Sequence, residues 1–195
     1  TCVCANRIYV QRPVMDAFAQ KLATATASLK VGNGMDAGVS IGPLIDEDGL
    51  AKVEDHVADA LSKGARVVTG GRRSDKGGTF FEPTVIADVK PGMKILREET
   101  FGPVAPLIAF DTDEEGIAMA NDTEYGLASY FYARDVSRIF KVAEALEYGM
   151  VGINTGVIST AEAPFGGIKS SGIGRERSKY GIEDYLEIRY LCRSV

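Results

Sequence analysis

The fold is decided by residues 127–154, which read LASYFYARDVSRIFKVAEALEYGMVGIN. The first seven residues are rich in apolar and aromatic side chains and predict a β-strand. A helix is predicted over residues 135–146, and a second strand, GMVGIN, follows at 149–154. Strands that alternate with helices build parallel sheets, because a parallel pair needs a long crossover between its strands. We therefore expect an α/β fold with a mostly parallel sheet flanked by helices.

The same alternation extends towards the amino terminus. Strands are expected in ARVVTGG (65–71), FFEPTVIADV (80–89) and PVAPLIAF (103–110), with a helix over residues 114–121. Pro83 has no amide hydrogen, so its strand either lies at a sheet edge or starts late. The glycine-rich residues 31–44 predict a long ordered loop.

Two amphipathic helices are predicted before these strands. The first follows Pro13, a helix-start signal, and its apolar positions are Val14, Phe18, Leu22, Ala25 and Leu29. Asp46 is expected to cap the second helix and Gly64 to end it. The apolar positions of the second helix are Leu50, Val53, Val57, Ala60 and Leu61.

Composition limits the classes of function. The 195 residues carry 22 lysines and arginines against 27 aspartates and glutamates, a net charge of -5. This acidic balance, together with the lack of a basic run interleaved with aromatic residues, argues against a nucleic-acid partner. The sequence shows no 18-residue apolar stretch and no signal peptide, so no membrane partner is expected. Three cysteines are too few for a disulfide framework, which favours a reducing compartment, the cytoplasm.

Neither a metal site nor a dinucleotide motif is predicted. His56 falls at the edge of the apolar face of the second helix, and we expect it on the surface. A zinc ion needs four ligands, and the sequence offers four candidates: Cys2, Cys4, Cys192 and His56. However, a C-x-C pair with two distant partners lacks the spacing of structural zinc sites. The glycines of GNGMDAG (32–38) and GIGRER (172–177) are not spaced like a dinucleotide-binding loop.

The most reactive side chains lie in TCVCANR, at residues 1–7. A cysteine is a nucleophile only as the thiolate, which needs surroundings that favour the charged form, whereas a buried structural cysteine is inert. The residues alone leave Cys2 and Cys4 open between these roles. The acidic run REETFGPV (97–104) is equally open, since its plain interpretation is a charged loop between strands.

Six segments carry a family resemblance: TCVCANRIYV (1–10), GVSIGPLI (38–45), EETFGPV (98–104), NDTEYGLASYFYARD (121–135), VGINTG (151–156) and APFGGIKSSGIGRERSKYGIEDYLE (163–187). In order and separation they resemble the carboxyl-terminal, catalytic half of the aldehyde dehydrogenase superfamily. The resemblance covers essentially the whole chain. Within the superfamily, the chain is most similar to NAD(P)-dependent members that oxidise succinate semialdehyde.

The resemblance implies roles for five residues. Cys2 would be the catalytic nucleophile. Glu99 and Phe101 would contact the NAD or NADP cofactor, with Glu99 accepting hydrogen bonds from the ribose hydroxyls. Ser159 would donate a hydrogen bond to the distal carboxylate of the substrate, and Phe165 would line the aldehyde pocket.

Two residues near that pocket have alternative interpretations. Phe165 is otherwise a core phenylalanine. Asn154 either faces the pocket, as the resemblance implies, or satisfies a turn.

The resemblance also implies a mechanism and an assembly. Cys2 would form a thiohemiacetal and then a thioester, which water hydrolyses. In the family, the general-base glutamate, the main cofactor domain and the arginines that pair with the substrate carboxylate precede the cysteine, so this chain alone is expected to be inactive. Residues 1–183 would be a catalytic domain, incomplete at its amino end. Residues 184–195 would be the oligomerisation strand of a homodimer or homotetramer.

Other interpretations stay open at this point. The substrate is alternatively another short ω-carboxy aldehyde, such as glutarate semialdehyde, or the chain is a non-catalytic oligomerisation module of the same fold. A small thiol redox or metal-binding protein is the remaining class. Cys4 is either the partner of Cys2 in a disulfide redox switch, which requires the backbone to bend, or a small packed hydrophobe. Cys192 is expected to be structural.

Overall fold

The computed structural model describes residues 2–195. Its strands are β1 (Ile8–Gln11), β2 (Arg66–Thr69), β3 (Thr84–Ala87), β4 (Val104–Phe110), β5 (Tyr125–Gly126), β6 (Ala128–Phe131), β7 (Met150–Ile153) and β8 (Ile168–Lys169). Its α-helices are α1 (Met15–Ala27), α2 (Glu47–Ser62), α3 (Asp113–Asn121) and α4 (Val136–Ala145). Among residues 2–195 there is no helix with the length and apolar character that a membrane crossing requires.

The chain divides into two compact units, residues 3–120 and residues 121–195 with Cys2. The first unit contains a four-stranded sheet in the order β1-β4-β3-β2. β4 runs parallel to both β1 and β3, whereas β2 is antiparallel to β3. β3 is buried along its whole length and begins directly after Pro83. Of the two interpretations of Pro83, the late start is therefore confirmed and the edge position is wrong.

Helix α2 starts and ends as predicted. The Asp46 carboxylate accepts a hydrogen bond of 2.8 Å from the Gly49 amide, and Gly64 adopts a φ of +93° just after the helix. Its buried side chains are Leu50, Val53, His56, Val57 and Ala60. Leu61, predicted on this face, is 41% exposed. The helix packs on a core that includes Phe81, Ile86, Met93, Ile95, Val104 and Ile108.

The predicted apolar face of α1 is wrong in part. Val14, Phe18 and Leu29 are 52%, 38% and 40% exposed, and the buried residues of the helix are Ala19 and Ala23. These two alanines lie one turn apart and face the sheet, where Ala19 packs in one cluster with residues of β1, β3 and β4. Because alanine is small, the helix can lie close to the strands, and the larger Met15 and Leu22 are only partly buried against the same cluster.

The strand, helix and strand predicted from residues 127–154 are confirmed in the second unit. β6 and β7 pair in parallel, with Ala128 opposite Met150 and Phe131 opposite Ile153. Helix α4 connects them. The Asp135 carboxylate caps this helix by accepting a hydrogen bond of 2.7 Å from the Arg138 amide. The short antiparallel pair β5 and β8 was not predicted.

The carboxyl-terminal segment is not a strand in the single chain. A 3-10 helix covers Lys179–Tyr185, and none of the described residues 186–195 belongs to a strand or is buried. Cys192, expected to be structural, is exposed. The oligomerisation strand at 184–195 and the single catalytic domain at 1–183 stay predictions.

Candidate active site

Glu99 and Phe101 lie on a loop of the first unit, residues 98–102, between a 3-10 helix (Lys94–Leu96) and β4. The Glu99 side chain is exposed, and Phe101 is 60% exposed. Phe101 has a φ of +50°, in the left-handed region that aromatic residues rarely adopt. The two residues that the resemblance assigns to the cofactor are therefore accessible to a ligand. Because the Phe101 backbone is strained, neighbouring residues must hold it in this conformation.

His56 is one of those neighbours, and the prediction that it lies on the surface is wrong. Its side chain is fully buried. Nδ1 lies 3.0 Å from the Thr100 hydroxyl and Nε2 lies 3.2 Å from a carboxylate oxygen of Glu98. His56 is three residues after Val53 and four before Ala60, so it shares their inward face. Hydrogen bonds at both ring nitrogens offset the cost of burying the imidazole.

Two aspartates of α2 bind the 3-10 helix that precedes the loop. The Lys94 ammonium donates to the Asp55 carboxylate at 2.8 Å, and this bond raises the pKa of Lys94. The Lys94 amide donates to the Asp59 carboxylate at 2.8 Å. A hydrogen bond from Lys63, and then the Lys94 amide, lower the pKa of Asp59. One helix thus holds both the loop and the turn that leads into it.

Asn6 holds the loop from another direction. Its side-chain oxygen accepts a hydrogen bond of 3.2 Å from the Thr100 amide, and its side-chain nitrogen donates to the Glu98 carbonyl at 3.4 Å. Asn6 follows Cys2 by four residues in the sequence. No local sequence pattern points to Asn6, because its partners Glu98 and Thr100 lie more than 90 positions away in the chain.

Gly102 completes the attachment of the loop to α2. A Cβ atom at this position would lie 2.4 Å from a methyl carbon of Val53. This distance is far shorter than a carbon–carbon contact, so the loop can approach the helix this closely only with glycine here.

Cys2 and Cys4 lie in a bent stretch of chain. Residues 2–4 form a turn followed by a bend, and both thiols are free and exposed. The interpretation of Cys4 as a packed small hydrophobe is therefore wrong for this structure. The backbone is bent over residues 2–4, and a disulfide between the two cysteines stays a prediction.

Ser159 and Phe165 are brought together in the second unit by Arg177. The Arg177 guanidinium donates a hydrogen bond of 2.5 Å to the Ser159 hydroxyl and lies 5.0 Å from the centre of the Phe165 ring. The last distance is in the range of a cation–π contact. Phe165 and Glu176 exchange two backbone hydrogen bonds of 2.8 and 2.7 Å, which fixes the residue next to Arg177. Arg177 has a φ of +61°.

Arg177 is a residue that the sequence analysis missed. The resemblance led us to expect the carboxylate-binding arginines outside this chain, but here one arginine lies against Ser159. Phe165 and Arg177 also line a surface concavity of about 560 Å³ in this unit. Phe165 is half-buried and faces this concavity, in contrast to a core phenylalanine.

Asn154 satisfies a turn. It has a φ of +57°, its side-chain oxygen accepts from the Ala133 amide at 2.9 Å, and its side-chain nitrogen donates to the Ala133 carbonyl at 2.8 Å. The turn interpretation is confirmed, since both ends of the amide are engaged with backbone. A pocket role for Asn154 stays a prediction.

The sequence matches the model of one protein family over residues 1–191, and that family is described as the aldehyde dehydrogenase family. The chain belongs to the aldehyde dehydrogenase family. Its α/β fold agrees with this membership, and solved structures of the family superpose on it. A structure described as succinate-semialdehyde dehydrogenase from Burkholderia pseudomallei has a TM-score of 0.98 at 60% identity, covering 100% of this chain and 40% of that one.

Two curated relatives in the aldehyde dehydrogenase family are similar along the sequence. Succinate-semialdehyde dehydrogenase [NADP(+)] of Escherichia coli K12 is 65% identical over 192 residues, which cover 98% of this chain and 40% of that protein. Glutarate-semialdehyde dehydrogenase of Pseudomonas putida KT2440 is 66% identical over 195 residues, covering 100% of this chain and 40% of that protein. The chain thus spans about 40% of the length of these relatives.

Proposed function

We propose that this chain is the thiol-bearing part of an NAD(P)-dependent aldehyde dehydrogenase that oxidises a short aldehyde with a distal carboxylate. The observation that carries the proposal is the match over nearly the whole chain to relatives whose names specify succinate or glutarate semialdehyde. Succinate semialdehyde is the first candidate substrate and glutarate semialdehyde the second. The two differ by one methylene group, which a pocket distinguishes by only about 1–3 kcal/mol.

The cluster of Ser159, Phe165 and Arg177 supports the class of substrate. A guanidinium beside a hydroxyl offers several hydrogen-bond donors and a positive charge to a carboxylate. The Phe165 ring, half-buried beside them, offers an apolar contact to the short carbon chain. A neutral aldehyde has no group that would use the charge of the guanidinium, so the cluster supports an anionic aldehyde.

Cys2 supplies the nucleophile in this proposal. Its thiolate attacks the aldehyde carbon and forms a C–S bond, giving a thiohemiacetal whose oxyanion accepts a hydrogen bond from the Cys2 amide. Loss of hydride from that carbon gives a thioester. Water then attacks the thioester, breaks the C–S bond and releases the carboxylic acid and the thiol. The general base that activates this water is expected outside these residues.

The loop at residues 98–102 has the groups that a nicotinamide nucleotide requires. The cofactor supplies the acceptor for the hydride when it is bound. The exposed Glu99 carboxylate can accept hydrogen bonds from two neighbouring ribose hydroxyls, and the exposed Phe101 ring offers a flat apolar surface. Because neighbouring residues hold the loop, these side chains fit the cofactor without a large ordering cost.

The proposal extends to assembly and location. The described tail presents Ile188, Tyr190 and Leu191 at 99%, 85% and 82% exposure, which supports pairing of residues 184–195 with a second copy in a dimer or tetramer. Three free cysteines support a reducing compartment such as the cytoplasm. Cys2 and Cys4 are proposed to form a reversible disulfide that inactivates the nucleophile.

The test uses the complete gene product, whose intact mass is measured first, with succinate semialdehyde and NADP+ or NAD+. Cys2→Ala is expected to abolish formation of the reduced cofactor, because no C–S bond can form, while Cys4→Ala keeps the activity. The isolated 195 residues are expected to form none. Full activity in Cys2→Ala would overturn the assignment, and full loss in Cys4→Ala would move the nucleophile to Cys4.

The Cys4→Ala variant also tests the disulfide, and nucleotide binding tests the non-catalytic alternative. Peroxide is expected to remove two thiols and the activity reversibly in the unsubstituted protein, whereas Cys4→Ala should lose no thiol pair. Equal behaviour of both proteins would end the redox-switch proposal. A complete gene product that binds no nicotinamide nucleotide would instead favour an oligomerisation module of the same fold.

A further inference from the structure

We propose that His56 is a positioning residue, which holds Glu99 and Phe101 in the conformation that binds the nicotinamide nucleotide. The inference rests on the proposed function, because it takes the loop at residues 98–102 as the cofactor loop. His56 is fully buried, so it cannot touch a ligand itself. Its effect has to pass through the side chains bonded to it, Glu98 and Thr100.

The two partners of His56 alternate with the two functional residues. An ionised carboxylate can only accept, so Nε2–H donates to Glu98, and in the neutral ring the Thr100 hydroxyl donates to Nδ1. Glu98 and Thr100 are thereby turned towards α2. Glu99, which lies between them, is left exposed. The Glu98 side chain is still 54% exposed, so the ring fixes the buried Thr100 and the direction of Glu98 rather than a wholly buried face of the loop.

The other attachments act on the same short stretch. Thr100 is 3% exposed and its amide donates to Asn6, and Gly102 lies against Val53. Phe101 stands between these two fixed residues with a φ of +50°. A non-glycine residue in this region is strained, so the conformation persists only because its neighbours determine it. Loosening Thr100 should let Phe101 relax.

Histidine has the chemistry that this position requires. It bonds a hydroxyl and a carboxylate through the two nitrogen atoms of one rigid ring. Phenylalanine would fill a similar volume but would leave the buried Thr100 hydroxyl and the Glu98 carboxylate without this partner. Glutamine keeps one amide donor at the end of a flexible chain, and so is expected to restore the position of the loop only in part.

The test measures cofactor binding without turnover. In the complete gene product carrying Cys2→Ala, the dissociation constants of NADP+ and NAD+ are measured by calorimetry for His56→Phe, His56→Gln, Thr100→Val and Val57→Ala. Val57 is buried on the same helix and its side chain has no hydrogen-bonding group, so it is the matched control for destabilised packing. We expect the Kd of the preferred nucleotide to rise about tenfold in His56→Phe and less in His56→Gln, and to stay within about twofold in Val57→Ala.

A second readout follows the loop in the absence of nucleotide. Amide hydrogen exchange at residues 99–102 should become faster in His56→Phe and in Thr100→Val, but not in Val57→Ala. Thr100→Val removes one hydroxyl and keeps the shape, so it remains informative if His56→Phe does not fold. An unchanged Kd and unchanged exchange in Thr100→Val and His56→Gln, or an equal rise in Val57→Ala, would overturn the inference.

Glu99→Gln separates this inference from the proposed function. If Glu99→Gln weakens nucleotide binding and the His56 variants do not, the cofactor loop stands and the positioning role fails. If Glu99→Gln leaves the Kd unchanged, the assignment of the loop to the cofactor fails, and with it the inference. A higher nucleotide Kd in Glu99→Gln and also in the His56 variants supports the cofactor loop and the positioning role together.

Discussion

The loop that carries Glu99 and the cluster around Arg177 both present side chains with a proposed function to solvent, but they are held in different ways. The loop is bonded to a fully buried ring on α2 and to Asn6. The cluster is joined through Arg177 and Ser159, which are both exposed. A group on a buried scaffold keeps its position before a ligand arrives, whereas an exposed pair can rearrange around the ligand. Substitutions in the first region should therefore change stability as well as binding, and substitutions in the second should change binding alone.

Gly102→Ala gives the largest expected effect on the loop side of this comparison. The added methyl group would overlap Val53, so the free energy of unfolding should fall by about 1–3 kcal/mol and nucleotide binding should weaken. Denaturant unfolding measures the first and calorimetry the second. In a protein with both Gly102→Ala and Val53→Ala the loss should be smaller than the sum of the two single losses. Strict additivity would show that the overlap is not the cause.

Arg177→Met gives the matching test on the cluster side. In the proposed role of Arg177, loss of the guanidinium should raise the KM for succinate semialdehyde about tenfold, because its charged hydrogen bond to the substrate carboxylate is lost. The KM for a neutral aldehyde such as butanal should not change, and neither should the unfolding midpoint. Arg177→Gly is the control for the backbone, since glycine adopts the φ of +61° without strain. A loss of stability comparable to that of Gly102→Ala would contradict the comparison.

The smallest effect concerns pH. Hydrogen bonds from Lys63 and the Lys94 amide lower the pKa of Asp59 below its usual value of about 3.9. The stabilisation is therefore fully present above that value and is lost as pH falls through the lower pKa of the folded state. Protection of the Lys94 amide from hydrogen exchange, relative to its intrinsic rate, should be constant near neutral pH and fall only below about pH 4. In Asp59→Asn this change should be absent, and an identical pH response in both proteins would exclude Asp59 as its source.

The elements that local sequence patterns determine could be predicted. α2 has a capping aspartate, a regular apolar spacing and a terminal glycine, and all three act within the helix itself. The pair β6 and β7 with α4 between them is likewise encoded in one short stretch. The face of α1 could be predicted only in part, because a helix on a sheet can turn its alanines inward and leave larger apolar residues such as Phe18 exposed.

Local sequence patterns predict even less of the candidate active site. His56 shares the inward face of α2 with Val53 and Ala60, but the hydrogen-bond partners that permit its burial lie 42 and 44 positions along the chain, and no local pattern reveals them. Arg177 meets Ser159 from 18 positions away for the same reason. The roles of Cys2, Glu99, Phe101, Ser159 and Phe165 rest on family resemblance and stay predictions.

The exposed carboxyl-terminal tail has a practical consequence for anyone who produces this polypeptide. Leu186, Ile188 and Tyr190 are presented to water at 61%, 99% and 85% exposure. Apolar extended segments of this kind add readily to the sheet edges of other molecules. Expression of the 195-residue polypeptide by itself is therefore expected to give inclusion bodies or mixed aggregates. Refolding at low concentration, or co-expression with a chain that covers the tail, should improve the yield.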